Sequence, residues 1–330
     1  MTNWNLTFNR PIGFFIMGFQ SLPDNSKYYF IFLAFVYIGT LVGNMFLMMI
    51  IWQSETLHTP KYMVVFSLSI VDVSHSTALI PKCVNQFLFD SRIVAYNLCL
   101  TQMFFVHFFY IIESYSLVIM AFERLVSICF PLQSSTIITN TRMFGIIVFS
   151  WVLAFAILVA ALVLITHLSF CKPVPTVMSY FCDHGPIFQI ACSDNTPNWK
   201  IAYFFTFTVL YVPLGFILLS YVFIITAVSQ IKSVDGRWKT FKTCSVHLIL
   251  VAIFFIPILV TYTIALIYTK IDGNTRILNT SLSAVLPPLL NPIIYTLKTE
   301  EVLQQMRKFL RKRSVKPLLI CRVANPCRRK

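Results

Sequence analysis

Charge is scarce in this sequence: Asp, Glu, Lys and Arg supply only 12% of its 330 residues, whereas a soluble domain carries about 25%. Acids are the scarcer sign, with 12 Asp and Glu against 26 Lys and Arg and a formal net charge of +14. So little charge beside 57% hydrophobic content excludes an ordinary soluble domain. Other absences narrow the field. There is no phosphate-binding loop, no metal-ligand spacing and no nucleophile–base pair, so nothing points to an enzyme. No internal repeat or charged pore supports a transporter or channel, and no lysine between Ile277 and Leu297 could carry a retinal Schiff base. Residues 1–26 lack an apolar core followed by a small-residue cleavage site, so the first apolar run is expected to act as its own insertion signal.

What is present is apolar sequence in long runs. Seven of them, near Tyr28–Gln53, Tyr62–Leu88, Leu98–Ile119, Phe144–Thr166, Ile201–Ile225, Leu248–Tyr268 and Ile277–Leu297, are each long enough to cross a hydrocarbon core of about 30 Å. The expected fold is an all-α membrane protein, a seven-transmembrane helix bundle with its third and fifth helices continuing past the inner face. Residues 1–27 form an extracellular segment, 28–297 the membrane domain, and 298–330 a cytoplasmic basic tail with a short amphipathic helix.

Charge placement sets the orientation. Lys232, Arg237, Lys239 and Lys242 oppose only Asp235 in the third inner connection, and the tail from Lys298 onward is densely basic. Positive loops stay in the cytoplasm, so an odd number of spans leaves the N-terminus outside. The basic tail then meets anionic lipid head groups rather than nucleic acid. Asn5-Leu6-Thr7 is a glycosylation sequon in the outer segment; Asn279-Thr280-Ser281 also matches but sits too close to the membrane for modification.

Cys99, Cys171, Cys182 and Cys192 fall on the oxidising side. Four cysteines allow two disulfides in three pairings, with some free thiols as the alternative. Cys83, Cys129 and Cys244 are packing residues, and Cys321 and Cys327 lie among basic residues where acylation is a candidate.

Polar groups inside hydrocarbon are functional candidates by default. Asp72 and Glu113, with Asn44 and Asn291 at similar depth, could form one hydrated cluster holding a shared proton or a sodium ion at Asp72 and Glu113. A polar knot that locks the helices is the alternative. Two adjacent carboxylates would not both ionise without a cation. On the third helix Cys99, Gln102, Val106, Tyr110, Glu113, Leu117, Ala121 and Arg124 recur at three- and four-residue steps. That single face spans roughly 37 Å and joins the outer rim to the cytoplasmic edge. Pro213, Pro257, Pro287, Pro288 and Pro292 cluster in the last three spans, as in helices built to bend.

Several longer motifs carry a resemblance. Leu57-His58-Thr59-Pro60-Lys61-Tyr62 followed by Leu68-Ser69-Ile70-Val71-Asp72, then Met120-Ala121-Phe122-Glu123-Arg124, then Lys239-Thr240-Phe241-Lys242-Thr243-Cys244-Ser245-Val246-His247, and finally Pro287-Pro288-Leu289-Leu290-Asn291-Pro292-Ile293-Ile294-Tyr295 stand in order on the right spans. With Ser220-Tyr221 and the outer-loop cysteines they resemble the vertebrate odorant-receptor family of rhodopsin-class G protein-coupled receptors, over roughly residues 15–312. The resemblance implies disulfides Cys99–Cys182 and Cys171–Cys192. It also implies an activation switch of Glu123, Arg124, Tyr221, His247, Asn291, Pro292 and Tyr295 that opens a crevice for a heterotrimeric G protein of the stimulatory olfactory type, raising cyclic AMP. The expected place is the plasma membrane of olfactory sensory neuron cilia, with no cofactor beyond the candidate sodium ion. A rhodopsin-class receptor for a peptide or hormone is the competing reading.

The sequence departs from the family pattern in places. Glu123 replaces the usual Asp, Leu125 the usual Tyr and Lys61 the usual Met, while Phe254-Phe255-Ile256-Pro257 resembles the variant of fish-like branches that detect water-borne odorants. A small organic ligand is expected between the third, fifth, sixth and seventh helices, lined by Val106, His107, Tyr110, Phe205, Thr206, Val209, Ile258, Tyr262 and Ser281. Val106 stands where amine receptors carry an Asp, which disfavours a charged amine. His107 and Lys82 favour an anionic or hydrogen-bond-accepting ligand, unless His107 is a packed core histidine.

Overall fold

The computed structural model describes residues 10–19, 26–267 and 273–309. Among them, seven helices are long and apolar enough to cross a membrane: Lys27–Gln53, Pro60–Leu88, Tyr96–Cys129, Asn140–Thr166, Thr196–Ser229, Val234–Thr263 and Gly273–Thr296. A further helix over 300–309 follows the seventh, with Val302 and Met306 turned to the bundle and Arg307 and Lys308 exposed. The sequon at Asn5 and the tail cysteines Cys321 and Cys327 lie outside the described residues.

The inner face differs from the sequence expectation. The stretch taken for a basic loop is the opening of the sixth helix, which begins at Val234 and takes in Arg237, Lys239 and Lys242. Hydropathy marks only the apolar part of a helix. A helix leaving the bilayer still satisfies its own backbone and needs no apolar surface to continue.

The third helix is the axis of the bundle. Cys99, Val106, Glu113, Leu117 and Ala121 along its inward face are buried. Phe149, Val152 and Phe155 stand outward on the fourth helix, the kind of surface that hydrocarbon covers.

Proline explains two polar contacts that cross between helices. Pro213 has no N–H for the carbonyl four residues back, that of Val209. The fifth helix widens into a π turn over Phe207–Tyr211, and the hydroxyl of Ser114 donates to the Val209 carbonyl at 2.7 Å. Pro292 likewise leaves the Pro288 carbonyl without a helical donor, and Asn44 Nδ2 supplies one at 2.9 Å. Gly43 permits this approach, since a Cβ there would stand 2.9 Å from the Pro292 ring.

Short strands close the outer end. Gly13–Ile16 pairs antiparallel with Ile93–Ala95 and parallel with Thr176–Val177, so three separate outer segments share one small sheet. Phe14 is fully buried, edge-on to Phe170 and stacked near Tyr96. Cys99–Cys182 and Cys171–Cys192 are disulfide-bonded with Cα separations of 5.3 and 5.8 Å. Gln102 Oε1 accepts from the Cys182 backbone N–H at 3.3 Å, a second tie between the outer loop and the third helix.

Gly13 has backbone against it: an added Cβ would lie 2.4 Å from the Val94 carbonyl oxygen. Gly13→Val is expected to lower stability by about 1–3 kcal/mol, read as a reduced thermal midpoint in detergent and less receptor at the cell surface. Gly145→Ala, where nothing lies within 4 Å, should show no loss.

Candidate functional site

A cavity opens at the outer end between the third, fourth, fifth, sixth and seventh helices, with about 1120 Å³ of empty space counting its mouth. Met103, Phe104, Leu158, Leu162 and Phe205 give it an apolar wall, to which Trp199 and Pro186 also contribute. The polar groups gather under the outer loop: His107, Asp183, His184, Tyr262, Arg276 and Thr280. Apolar walls with a few converging polar groups are what a small-molecule site requires.

His107 is fixed at both nitrogens. Nδ1 lies 2.8 Å from the Met103 carbonyl, which can only accept, so that nitrogen carries a proton. Nε2 lies 3.3 Å from Asp183 Oδ1. Both ring nitrogens therefore face acceptors, and an imidazolium paired with a carboxylate satisfies the arrangement. Burial pushes the Asp183 carboxyl up, but the His107 hydrogen bond and charge, with Arg276 and His184 nearby, outweigh it and hold the group below the usual carboxylate range. His184 is lowered as well, which for an imidazole favours the neutral form. Burial, then the charge of His107, depress it to about 4 against the opposing pull of Asp183.

Of the residues expected to line the site, His107, Phe205, Thr206 and Tyr262 do so. Val106, Tyr110, Val209, Ile258 and Ser281 are not among the lining residues. Val106 is buried in the apolar cluster of the outer half. Tyr110 lies deeper, stacked on Phe254 with centroids 5.0 Å apart. Val209 and Ile258 are buried in packing, and Ser281 turns to the first helix, 2.5 Å from the Tyr29 hydroxyl. Lys82 does not line the cavity, whereas Arg276 does. Sequence reasoning missed Arg276, His184 and the whole fourth-helix wall. Two ionisable residues directly after the anchored Cys182 were the available signal for Asp183 and His184.

The residues expected to form the mid-membrane cluster are all buried, each with its own contacts. Asn291 Nδ2 donates to both oxygens of Asp72, at 3.1 and 2.9 Å. Asn44 is committed to the Thr40 and Pro288 carbonyls. Glu113 faces His75 across 3.4 Å, without hydrogen-bond alignment, and both side chains are almost wholly buried. No group of three His, Cys, Asp or Glu among the described residues could hold a metal ion.

The inner end holds a second cavity, bounded by Val65, Met120, Arg124, Val246, Tyr295 and Gln304 among others. Arg124 Nε lies 3.5 Å from Glu123 Oε2, whose other oxygen accepts from Ser127 at 3.1 Å. The Tyr295 hydroxyl donates to Met120 Sδ at 2.6 Å. His247 Nε2 faces the Leu117 carbonyl at 3.1 Å and must donate to it, while Nδ1 lies 3.0 Å from the Tyr221 hydroxyl, which also reaches the Cys244 carbonyl at 3.1 Å. One imidazole thereby ties the third, fifth and sixth helices together. Lys61 and the Tyr62 hydroxyl reach Glu301 at 4.0 and 3.4 Å. Burial raises the Glu301 carboxyl, but its own backbone N–H, Lys61, Tyr62 and Arg124 bring it below its usual range.

His247→Phe keeps the ring and removes both bonds, and it should cost about 1–3 kcal/mol of stability, read as a lower thermal midpoint in detergent. The outer loop should be acid-sensitive. His184 is neutral in the fold down to about 4 but titrates near 6.5 when unfolded, so the unfolded chain binds more protons between those values. Stability is expected in full above about pH 6.5 and to fall progressively toward pH 4; Asp183 adds a further loss below its unfolded value. Thermal midpoints across this range measure the slope, and His184→Phe should flatten it.

Comparison with known proteins agrees with this layout. A family model described as olfactory receptor matches residues 33–313. The human olfactory receptor 2AT4 is 32% identical over 299 residues, covering 90% of this chain and 92% of that one. The rat olfactory receptor 1f45 is 31% identical over 300 residues, covering 90% and 94%. In fold, the chain is similar to squid rhodopsin, with a TM-score of 0.71 at 15% identity over 88% of this chain and 87% of that one. A seven-helix bundle with a roofed outer cavity and an inner crevice, matched by family model and relatives over nearly its full length, thus belongs to the olfactory receptor family of G protein-coupled receptors, multi-pass membrane proteins that signal rather than catalyse.

Proposed function

We propose that the outer cavity binds a small organic odorant, and that its occupation opens the inner crevice to a heterotrimeric G protein of the stimulatory olfactory type, raising cyclic AMP. The observation that carries this reading is a single unbroken helix, Tyr96–Cys129, which holds His107 in the outer cavity and Arg124 in the inner one. Between them the same helix offers the Leu117 carbonyl to His247, so a shift at the outer end reaches the tie among three helices. Glu123, Arg124, Tyr221, His247 and Tyr295 are the switch in this reading. Asn291 and Pro292 act one layer deeper, through Asp72 and Asn44. The strand Gly13–Ile16 lies across the outer loops, which favours a small ligand over a peptide that would need that face. The setting is the plasma membrane of olfactory sensory neuron cilia.

The test is cyclic AMP in cells carrying the receptor and an olfactory-type G protein, across small acids, aldehydes, alcohols and amines. Arg124→Ala, matched for surface expression, should reduce the evoked response by about tenfold or more, since it removes the charged contact in the crevice. Equal signalling by that variant, or a response independent of the G protein, would sink the reading.

A further inference from the structure

Among the described residues, the outer cavity carries a cation that forms no ion pair. Arg276 lines it from the start of the seventh helix. Among the described residues its guanidinium makes one hydrogen bond, to the carbonyl of Met178 in the outer loop, and no ion pair. A carbonyl satisfies one donor and neutralises nothing, whereas a guanidinium has five N–H groups arranged to grip a carboxylate. The cavity's carboxylate, Asp183, is already matched by His107. Beside them His184 presents a buried Nε2 with no hydrogen-bond partner. Among the described residues, the polar end of the cavity therefore holds one histidine–carboxylate pair, one cation without an ion pair and one open imidazole nitrogen, set against the apolar wall of Met103, Leu158 and Phe205.

We infer that the ligand of this cavity is a small carboxylic acid, its carboxylate held by Arg276 beside His184 and its hydrocarbon part laid on the apolar wall. The inference rests on the outer cavity being the odorant site. An ammonium ligand is disfavoured on two counts: Asp183 is occupied by His107, and Arg276 repels a second cation. A neutral alcohol of the same shape fits the wall but leaves the guanidinium's charge unanswered. A carboxylate answers it with charge-assisted hydrogen bonds, which are stronger than those between neutral groups.

The experiment compares hexanoate and phenylacetate with hexanol and hexylamine on the purified full chain, read as ligand-induced thermal stabilisation, and in cells as cyclic AMP. The acids should outrank both isosteres. Arg276→Gln should weaken the acids by about tenfold to a hundredfold, the equivalent of one charge-assisted hydrogen bond, with hexanol unchanged. Arg276→Lys should retain most of the preference, which a purely structural role for the side chain would not explain. Should Arg276→Gln fail to reach the surface, the ranking on the unaltered receptor still decides. Preference for hexanol or hexylamine, equal response to the acids in Arg276→Gln, or no stabilisation by either acid overturns the inference. The odorant-receptor reading is judged separately: an Arg124-dependent response to alcohols, aldehydes or amines with none to acids would leave it standing while this inference falls.

Discussion

In hydrocarbon there is no water to take up an unpaired backbone group, and each one left open costs several kcal/mol. Proline creates such groups. Two of them, the carbonyls of Val209 and Pro288, are closed by side chains from other helices, Ser114 and Asn44. These bonds fix the fifth helix on the third and the seventh on the first. The bends are thus held by specific partners rather than left loose. The π turn begins at Phe207, directly after Phe205 and Thr206. The extra residue resets the phase of the helix, so the outer part that faces the cavity and the inner part that carries Tyr221 follow different registers.

The two cavities share one rigid member. His107 and Arg124 are 17 residues apart on the third helix, roughly 25 Å. Neither end is free: His107 is held by Met103 and Asp183, and the inner part by His247 at the Leu117 carbonyl. Any motion between them has to exchange one set of bonded partners for another, which is how packed helices switch rather than deform gradually.

Much of this was legible in the sequence. The third helix repeats its inward positions at helical steps, and Cys99, Val106, Glu113, Leu117 and Ala121 on that face are buried. Asp72 and Asn291 could be paired by depth. The fourth-helix wall was hidden because an almost wholly apolar helix gives no phase to read. Arg276 was hidden because hydropathy starts the seventh span at the first apolar residue, Ile277, four positions after the helix begins at Gly273. His75 was overlooked as a lone histidine in an apolar helix, and only the fold brings it to Glu113. The outer sheet was illegible for a different reason. Its strands are two to four residues long, and their pairing is set by which loops the bundle brings together.

That sheet also imposes an order of assembly. The strand at Gly13–Ile16 leaves the ribosome long before its partner at Thr176–Val177, and it cannot take its place between the two outer loops until the fourth helix has inserted and the loop beyond it has crossed. The first strand to be made is thus among the last to be seated, and until then its phenylalanine, Phe14, lacks the neighbours that bury it.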